Sequence, residues 1–272
     1  DRLTILFFLF LILIISVILS IKYGALKIDI LEIITDNKTT LNEVVFLEVR
    51  LPRVFLSCFV GASLGLSGAS LQGLFRNPLA DPGLIGVSAG AALGATFSIV
   101  IGSSFVLDSY FGKYLIPISA VIGSISIIML LYVSTKGFSQ QGISYMLLIG
   151  IAVNAFASVG IAVLTFISSD LELRNLSFWL MGSFGGSEWV TILPGIMIIT
   201  VSIAWMINSS RELDILQLGE SEASRLGIDV KKIKFKVILS SAITVGISVS
   251  LSGMISFVAV SYTHLRAHET KR

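Results

Sequence analysis

Histidine and cysteine are almost absent from this sequence. Among 272 residues there are two histidines, His264 and His268, both in the last nine positions, and a single cysteine, Cys58. The body of the chain therefore has no cluster of nitrogen and sulfur ligands that could bind zinc or haem iron. A lone cysteine also cannot form an internal disulfide. We predict no metal site, no cofactor and no catalytic residues.

Charged residues are scarce as well. They make up 13% of the chain, whereas an ordinary soluble domain has roughly a quarter, and 54% of the residues are hydrophobic. Such a chain cannot cover a water-facing surface with charge. The net charge of +2 and the lack of a long Lys/Arg run also exclude a nucleic-acid-binding surface. The composition indicates a protein that has lipid as its solvent.

Long apolar segments are abundant, and each is long enough to cross a hydrocarbon core about 30 Å thick. None of them contains Asp, Glu, Lys, Arg or His. They predict an all-α, polytopic transmembrane helical bundle, because barrel strands are only about ten residues long and alternate in polarity. The seven candidate spans are Leu3–Ile21, Val54–Phe75, Leu84–Leu107, Tyr114–Thr135, Ile143–Ser169, Trp189–Ser210 and Val237–Ser261.

The first of these spans has two interpretations. Leu3–Ile21 lies near the N-terminus, as a secretory signal peptide would. However, its apolar stretch exceeds a typical signal core, and no clear small-residue cleavage site follows it. We interpret it as a retained first helix.

The basic residues of the connecting segments suggest an orientation. With seven spans, nine basic residues fall on one side and seven on the other, and the nine lie on shorter loops, which favours the cytoplasm for them. The nine are Arg2, Arg76, Lys136, Arg211, Arg225, Lys231, Lys232, Lys234 and Lys236; the seven are Lys22, Lys27, Lys38, Arg50, Arg53, Lys113 and Arg174.

Small residues recur every four positions in two of the spans. This spacing produces a flat stripe that lets helices approach closely, although the same stripe could also line a pore. The stripes are Gly61, Gly65, Ala69 and Gly73 in the second span, and Gly86, Gly90, Gly94, Ser98 and Gly102 in the third. The amides Gln72 and Asn154 also lie within spans, where we expect hydrogen bonds between helices rather than substrate contact.

Four segments of the sequence contain distinctive motifs. Arg50–Arg53 reads R-L-P-R, and Gln72–Pro82 reads Q-G-L-F-R-N-P-L-A-D-P. Phe178–Ser183 fits F-W-x-x-G-S, and Leu216–Gly227 fits L-x-L-G-E-x-x-A-x-x-L-G. In this order and at this spacing, they are similar to the FecCD family, the permease subunits of bacterial importers for ferric siderophores, haem and cobalamin.

The resemblance implies a function and partners. The chain would be a permease subunit in the bacterial cytoplasmic membrane, moving an iron-siderophore-type compound, with haem and cobalamin as alternatives. ATP would be hydrolysed by separate cytoplasmic ATPase subunits, since this chain has no G-x-x-x-x-G-K-[ST] loop. The other partners would be an extracytoplasmic substrate-binding protein and a second permease chain, either identical or paralogous.

The resemblance also assigns roles to individual residues. Arg50 and Arg53 would meet acidic residues of the binding protein, although lipid headgroups are an alternative contact. The short segment Glu220–Leu226 would be gripped by the ATPase, although it could be only a solvated surface helix. The ATPase-coupling positions are Leu218, Gly219, Glu220, Ala223, Leu226 and Gly227.

Local chemistry predicts the shape of two of these segments. Prolines remove backbone donors and Asp-Pro-Gly favours a turn, so the second span should end at a tight hairpin turn formed by Asn77, Pro78, Asp81, Pro82 and Gly83. Glu220–Leu226 should form about two helical turns, because acidic residues favour its start and Gly227 its end.

The end of the chain departs from the family pattern. Ser252–Val258 still resembles the family, but the polar segment 262–272 does not, and we interpret it as an unrelated scar. Residues 1–261 would form a C-terminally truncated permease domain, with seven of about ten spans.

Two other functions are possible for such a chain. An ion-coupled secondary transporter usually has ionisable groups inside the membrane, and the seven predicted spans contain none. A membrane-embedded enzyme would need intramembrane His, Asp or Cys pairs. Both alternatives are disfavoured by what the spans lack.

Overall fold

The predicted all-α architecture is confirmed by a computed structural model. It describes residues 2–24, 26, 41–78, 80–102, 112–135 and 142–255, and every element within them is helical. The helices are α1 (Arg2–Lys22), α2 (Leu41–Phe75), α3 (Val87–Gly102), α4 (Gly112–Ser134), α5 (Gly142–Ile167), α6 (Asp170–Met181), α7 (Trp189–Ile207), α8 (Ser210–Leu216), α9 (Glu220–Arg225) and α10 (Val230–Ser252).

Six of these helices are long and apolar enough to cross a bilayer, namely α1, α2, α4, α5, α7 and α10. The predicted third span, Leu84–Leu107, begins later than expected. Leu84 and Ile85 belong to a separate 3₁₀ turn, because Gly86 has a φ of +86° and interrupts the helix before α3 begins. The end of this predicted span lies outside the described residues.

Two spans begin earlier than predicted. α2 extends back to Leu41 through a π-helical stretch, Val45–Arg50, so Arg53 lies inside a helix rather than before one. α10 starts at Val230 instead of Val237, because the Asp229 side chain accepts a hydrogen bond from the Lys232 N–H (3.2 Å) and caps the helix there. The lysines between 231 and 236 therefore belong to a helix, not to a loop.

The core is built around α10. Most of this helix is buried, and it packs against α2, α4 and α7. Its small polar residues face α2, where the Ser248 hydroxyl lies 2.6 Å from that of Ser63 and the Thr244 hydroxyl lies 2.7 Å from that of Ser67. Hydroxyl pairs of this kind join helices in a membrane, where apolar burial alone gives them little attraction.

The small-residue stripe of α3 forms a close helix contact, as predicted. Gly90 and Gly94 pack against α4, and a Cβ at Gly90 would lie 2.7 Å from the Gly123 carbonyl oxygen. The stripe of α2 behaves differently. A Cβ at Gly61 or Gly65 would meet no atom within 4 Å, so these glycines pack against nothing in the described part of the chain.

The expected helical hairpin of the second and third spans is only partly present. A short turn joins α2 to α3, but in the described residues the two helices do not pack along each other. α2 lies against α7 and α10, whereas α3 lies against α4 and α5. The hydroxyl pairs draw α2 towards α10, and the glycine contact holds α3 on α4.

Candidate functional site

The motif segments gather at opposite ends of the bundle. One end contains the α2–α3 turn and residues 208–229, and we call it the Gln217 end. The other contains Arg50, the segment 182–188 and the end of α10, and we call it the Arg50 end. Because successive spans run in opposite directions, segments far apart in sequence meet at each end.

The helix stop predicted at Asn77 lies at the Gln217 end and has a defined geometry. Arg76 adopts a left-handed conformation with a φ of +50°, and its N–H bonds to the Gly73 carbonyl (3.3 Å). The Asn77 N–H reaches the Gln72 carbonyl (3.2 Å). These two bonds form a Schellman-type end, which satisfies carbonyls that the helix itself leaves free. Pro78 then prevents further helix.

The turn that follows is held from two sides. Within it, the Asp81 carboxylate accepts a hydrogen bond from the Gly83 N–H (2.6 Å) and so caps the 3₁₀ turn Pro82–Ile85. From α5, the Asn154 amide donates to the Gly83 carbonyl (3.0 Å). Asn154 thus makes a hydrogen bond between segments, as expected, although its partner lies in the turn and not in another spanning helix. Gln72 differs, since its Nε2 is buried without a hydrogen-bond partner in the described residues.

The Q-G-L-F-R-N-P and L-x-L-G-E segments are in direct contact. The Gln217 side chain, just after α8, donates to the Gly73 carbonyl near the end of α2 (2.6 Å). The Arg76 guanidinium approaches Gly219, whose φ is +120°. Leu213 and Leu216 anchor α8 in the core. The segment that connects α7 to α10 is therefore tied to the end of α2.

The short helix predicted at Glu220–Leu226 is present as α9. It ends as predicted at Gly227, which has a φ of +85°. The Gly227 N–H bonds to the Ser224 carbonyl and the Ile228 N–H to the Ala223 carbonyl, each at 3.0 Å. This is a Schellman motif, in which glycine avoids the strain of a left-handed backbone.

The two faces of α9 differ in character. Ala223 is completely buried and belongs to the hydrophobic core, so its side chain packs against its own chain rather than pointing outwards. Leu218 and Leu226, on either side of α9, are 68% and 62% exposed. Their exposed apolar surface is available to a partner that packs on α9.

A buried ion pair fastens α9 to α10. The Lys234 ammonium on α10 lies 2.8 Å from the Glu220 carboxylate at the start of α9, and the two side chains are 1% and 13% exposed. Neither residue was predicted to have this role. Lys234 also places a charge in a helix long enough to span the membrane, where we expected none, but that charge is paired close to the helix start.

Two further ion pairs at this end are exposed. Arg225 pairs with Glu222 at 2.9 Å, and Lys232 pairs with Asp229 at 3.3 Å. The pKa of Asp229 is lowered, chiefly by the hydrogen bond from the Lys232 N–H and further by the Lys232 ammonium. Exposed pairs contribute little to stability, so these two residue pairs mainly shape the charge of the surface.

At the opposite end, Arg50 faces inwards. The residue is 8% exposed, and its guanidinium donates to the carbonyls of Ile21 and Lys22 at the end of α1 and to that of Leu26 beyond it. It therefore acts as a cap for α1. The predicted docking contact of Arg50 would require this guanidinium to leave its three acceptors.

Arg53 is exposed, in contrast to Arg50. Its guanidinium donates to the Gly185 carbonyl (2.9 Å) in the segment before α7. The Trp189 indole N–H donates to the Leu47 carbonyl (2.8 Å), and its ring packs edge-on against Phe55. α2 and the segment before α7 thus form one surface, with Arg53 as its exposed cation.

The F-W-x-x-G-S segment meets the end of α10. The Ser183 N–H donates to the Ser252 carbonyl (2.7 Å). Gly182 and Gly253 both have a φ of +71°, and a Cβ at Gly253 would overlap the Trp179 carbonyl oxygen. Two glycines are needed here because the backbones approach too closely for side chains.

Comparisons with known proteins identify the family of the chain. The model of the FecCD transport family matches residues 12–269. The match includes most of the segment 262–272, whose structure is outside the described residues; its interpretation as a scar stays a prediction.

Individual relatives cover most of the chain. It is 38% identical to the hemin transport system permease protein of Yersinia pestis, over 95% of this chain and 76% of the relative. It is 36% identical to the vitamin B12 import system permease protein of Vibrio vulnificus, over 80% of this chain and 64% of the relative. An inward-facing structure of an ABC transporter assigned to the metal-chelate type superposes with a TM-score of 0.84 at 31% identity, covering 99% of this chain and 82% of that one.

Proposed function

The chain belongs to the FecCD transport family, and from this premise we propose that it is the membrane-spanning permease subunit of a bacterial ABC importer. It is a multi-pass protein of the cytoplasmic membrane and a transport subunit rather than an enzyme. One observation carries the proposal: the family's motif segments form two separate clusters, one at each end of the bundle. A subunit that has partners on both sides of the membrane needs such an arrangement.

The Gln217 end is the contact for the ATPase. α9 is fixed to the core by Ala223 and Glu220, while Leu218 and Leu226 are exposed beside it. An ATPase that packs on these leucines would move α9 when it binds or hydrolyses ATP. Gln217 would pass that motion to α2 through its bond to the Gly73 carbonyl.

The Arg50 end is the contact for the binding protein. Arg53 supplies an exposed positive charge that would attract acidic residues of that partner. Arg50 stabilises the same surface from its buried side, because its guanidinium binds a backbone carbonyl at the end of α1. A second permease chain, identical or paralogous, completes the path, and transport results from a shift between two packings of the helices.

The substrate we propose is a metal chelate of the haem class. This choice rests on the relative in Yersinia pestis, which is named a hemin permease and is 38% identical over 95% of this chain. Cobalamin is the second candidate, because the relative in Vibrio vulnificus is named a vitamin B12 permease. A ferric siderophore, which the sequence motifs suggested first, is the third.

Binding measurements on the cognate binding protein test the substrate. Ferric haem, cobalamin, a ferric siderophore and, as a small oxyanion outside the chelate class, molybdate would be titrated by calorimetry. We expect haem to bind at least tenfold more tightly than the other three. Uptake of the same compounds by proteoliposomes should follow the same order; preference for molybdate would contradict the chelate class.

The proposed function fixes the orientation of the chain. Because an ATPase can bind only from the cytoplasm, the Gln217 end should be cytoplasmic and the Arg50 end external. In a Cys58→Ser background, a membrane-impermeant thiol reagent added to intact cells should label Lys38→Cys and spare Glu222→Cys. Permeabilised cells provide the control, in which both should react. The reverse pattern in intact cells would contradict the orientation.

Docking of the binding protein should depend on Arg53. We expect Arg53→Glu to lower the association rate constant about tenfold at low salt, with a smaller effect on dissociation, because rim charges mainly steer the encounter. Surface plasmon resonance on nanodiscs measures both constants. Arg225→Glu, the same charge change at the opposite end, is the matched control. Equal association rates for the two variants would remove Arg53 from the docking surface.

A further inference from the structure

The ion pair between Lys234 and Glu220 differs from the other ion pairs at the Gln217 end. Its lysine is 1% exposed, whereas the lysine and arginine of the two neighbouring pairs are 84% and 76% exposed. A lysine is almost never fully buried unless it is paired. Removing one member of such a pair leaves an uncompensated charge in the interior, which disturbs a structure far more than loss of an exposed pair.

The pair also connects two helices, α9 and α10. Glu220 is the first residue of α9, and Lys234 lies just beyond the first turn of α10. Together with the buried Ala223, it fixes α9 at two points. α10 in turn is bonded to α2 through the hydroxyl pairs at Ser248 and Thr244. A continuous series of contacts therefore leads from α9 into the centre of the bundle.

One feature of the pair limits its net contribution to stability. The second carboxylate oxygen of Glu220, Oε2, is buried and has no hydrogen-bond partner in the part of the chain that the structure describes. A buried ion pair offsets its desolvation fully only when the remaining lone pairs are also satisfied. This pair therefore contributes little net stability of its own, and its main effect is to fix the position of α9 relative to α10.

We propose that Lys234 is a positioning residue, which through Glu220 holds α9 in the orientation needed for ATPase coupling and carries its displacement into α10. This role rests on the proposed function of the chain as an importer permease. It predicts that Lys234→Met leaves membrane insertion and basal ATP hydrolysis in place. What should be lost is the response of the ATPase to loaded binding protein.

The first measurement concerns the position of α9 and does not depend on the transport function. A spin label at the exposed Ser224→Cys, in a Cys58→Ser background of the full-length chain in nanodiscs, reports the mobility of α9. We expect Lys234→Met to shorten its rotational correlation time at least twofold. Lys232→Met, which breaks the exposed pair two residues away, should leave it unchanged. Equal mobility in the two variants would overturn the proposal.

The second measurement concerns coupling. In the complete importer, Lys234→Met should lower stimulation of ATP hydrolysis by loaded binding protein at least tenfold, and Lys234→Arg should restore at least half of it. Lys234→Met/Glu220→Gln should resemble Lys234→Met within twofold, because members of one pair act non-additively. If Lys234→Met fails to insert, Glu220→Gln alone, which removes only the carboxylate charge, serves for both measurements.

The outcomes separate the two proposals. Increased α9 mobility together with wild-type stimulation would overturn the positioning role, since the pair would then anchor a helix that does not transmit. A wild-type complex that shows no stimulation at all would instead overturn the importer function. The mobility measurement would still show in that case whether the pair holds α9.

Discussion

Replacing Ala223 with tryptophan should abolish stimulated transport while leaving the protein in the membrane. Ala223 is completely buried beneath α9, so an indole at this position cannot fit without displacing the helix. Overpacking of a filled core typically costs 1–3 kcal/mol, and a shift of this size changes a two-state equilibrium by about 5- to 150-fold. None of the helices long enough to span the membrane contains Ala223, and insertion should survive.

Stimulation of ATP hydrolysis by loaded binding protein in proteoliposomes measures this effect. Ala223→Ser is the matched control, because it adds only a hydroxyl and should keep at least half of the wild-type stimulation. A tryptophan variant that transports normally would show that α9 is only a connector. The loss would come from overpacking of the chain's own core, because Ala223 packs against that core and not towards the partner.

Substitution of Gly94 by leucine should unfold the contact between α3 and α4. A Cβ at Gly94 would overlap the Ser119 carbonyl oxygen, and a Cβ at Gly123 would overlap that of Gly90. These neighbours are backbone atoms, so no rotation of a side chain can relieve the overlap. We expect a loss of about 3 kcal/mol or more, at the upper end of overpacking effects.

The other stripe provides the control. Gly65→Ala introduces a Cβ where no atom lies within 4 Å, and it should not destabilise this chain. Thermal unfolding in detergent micelles, followed by tryptophan fluorescence, compares the two variants. Equal melting temperatures for Gly94→Leu and Gly65→Ala would contradict the close contact between α3 and α4.

Local features of the sequence predicted local structure well. Asn77 and Pro78 predicted the end of α2, and Gly227 predicted the end of α9, since helix stops depend on backbone chemistry within a few residues. Apolar segments predicted where most spans lie. The start of the third span was misjudged because Gly86 could continue a helix in sequence, whereas in the structure its φ of +86° interrupts the helix.

Contacts between distant segments were harder to predict. The glycine stripes of α2 and α3 have the same spacing, yet only the α3 stripe packs closely against another helix. Close packing also requires a neighbouring helix at that position, which the spacing alone does not predict. Arg50 and Arg53 are three residues apart, and only the arrangement of α1 turns Arg50 inwards.

The sequence does contain a pattern that predicts the burial of Lys234. If α10 is begun at Val230, then Lys234 falls on the same face as Val230 and Val237, at spacings of four and three residues. We missed it because the span was delimited by the absence of charge, which excluded the first turns of the helix. The Glu220 partner could not be found in this way, since it depends on the path of the chain between α9 and α10.

The hydroxyl pairs between α2 and α10 have a consequence for biosynthesis. Ser63 and Ser67 are separated from their partners by 185 and 177 residues. At a translation rate of 5–20 residues per second, α2 is therefore synthesised about 9–37 s before its partner residues in α10. During that interval Ser63 can donate to the Val60 carbonyl of its own helix, as it also does in the finished fold. α2 can thus reside in lipid alone, and the centre of the bundle closes only when α10 arrives.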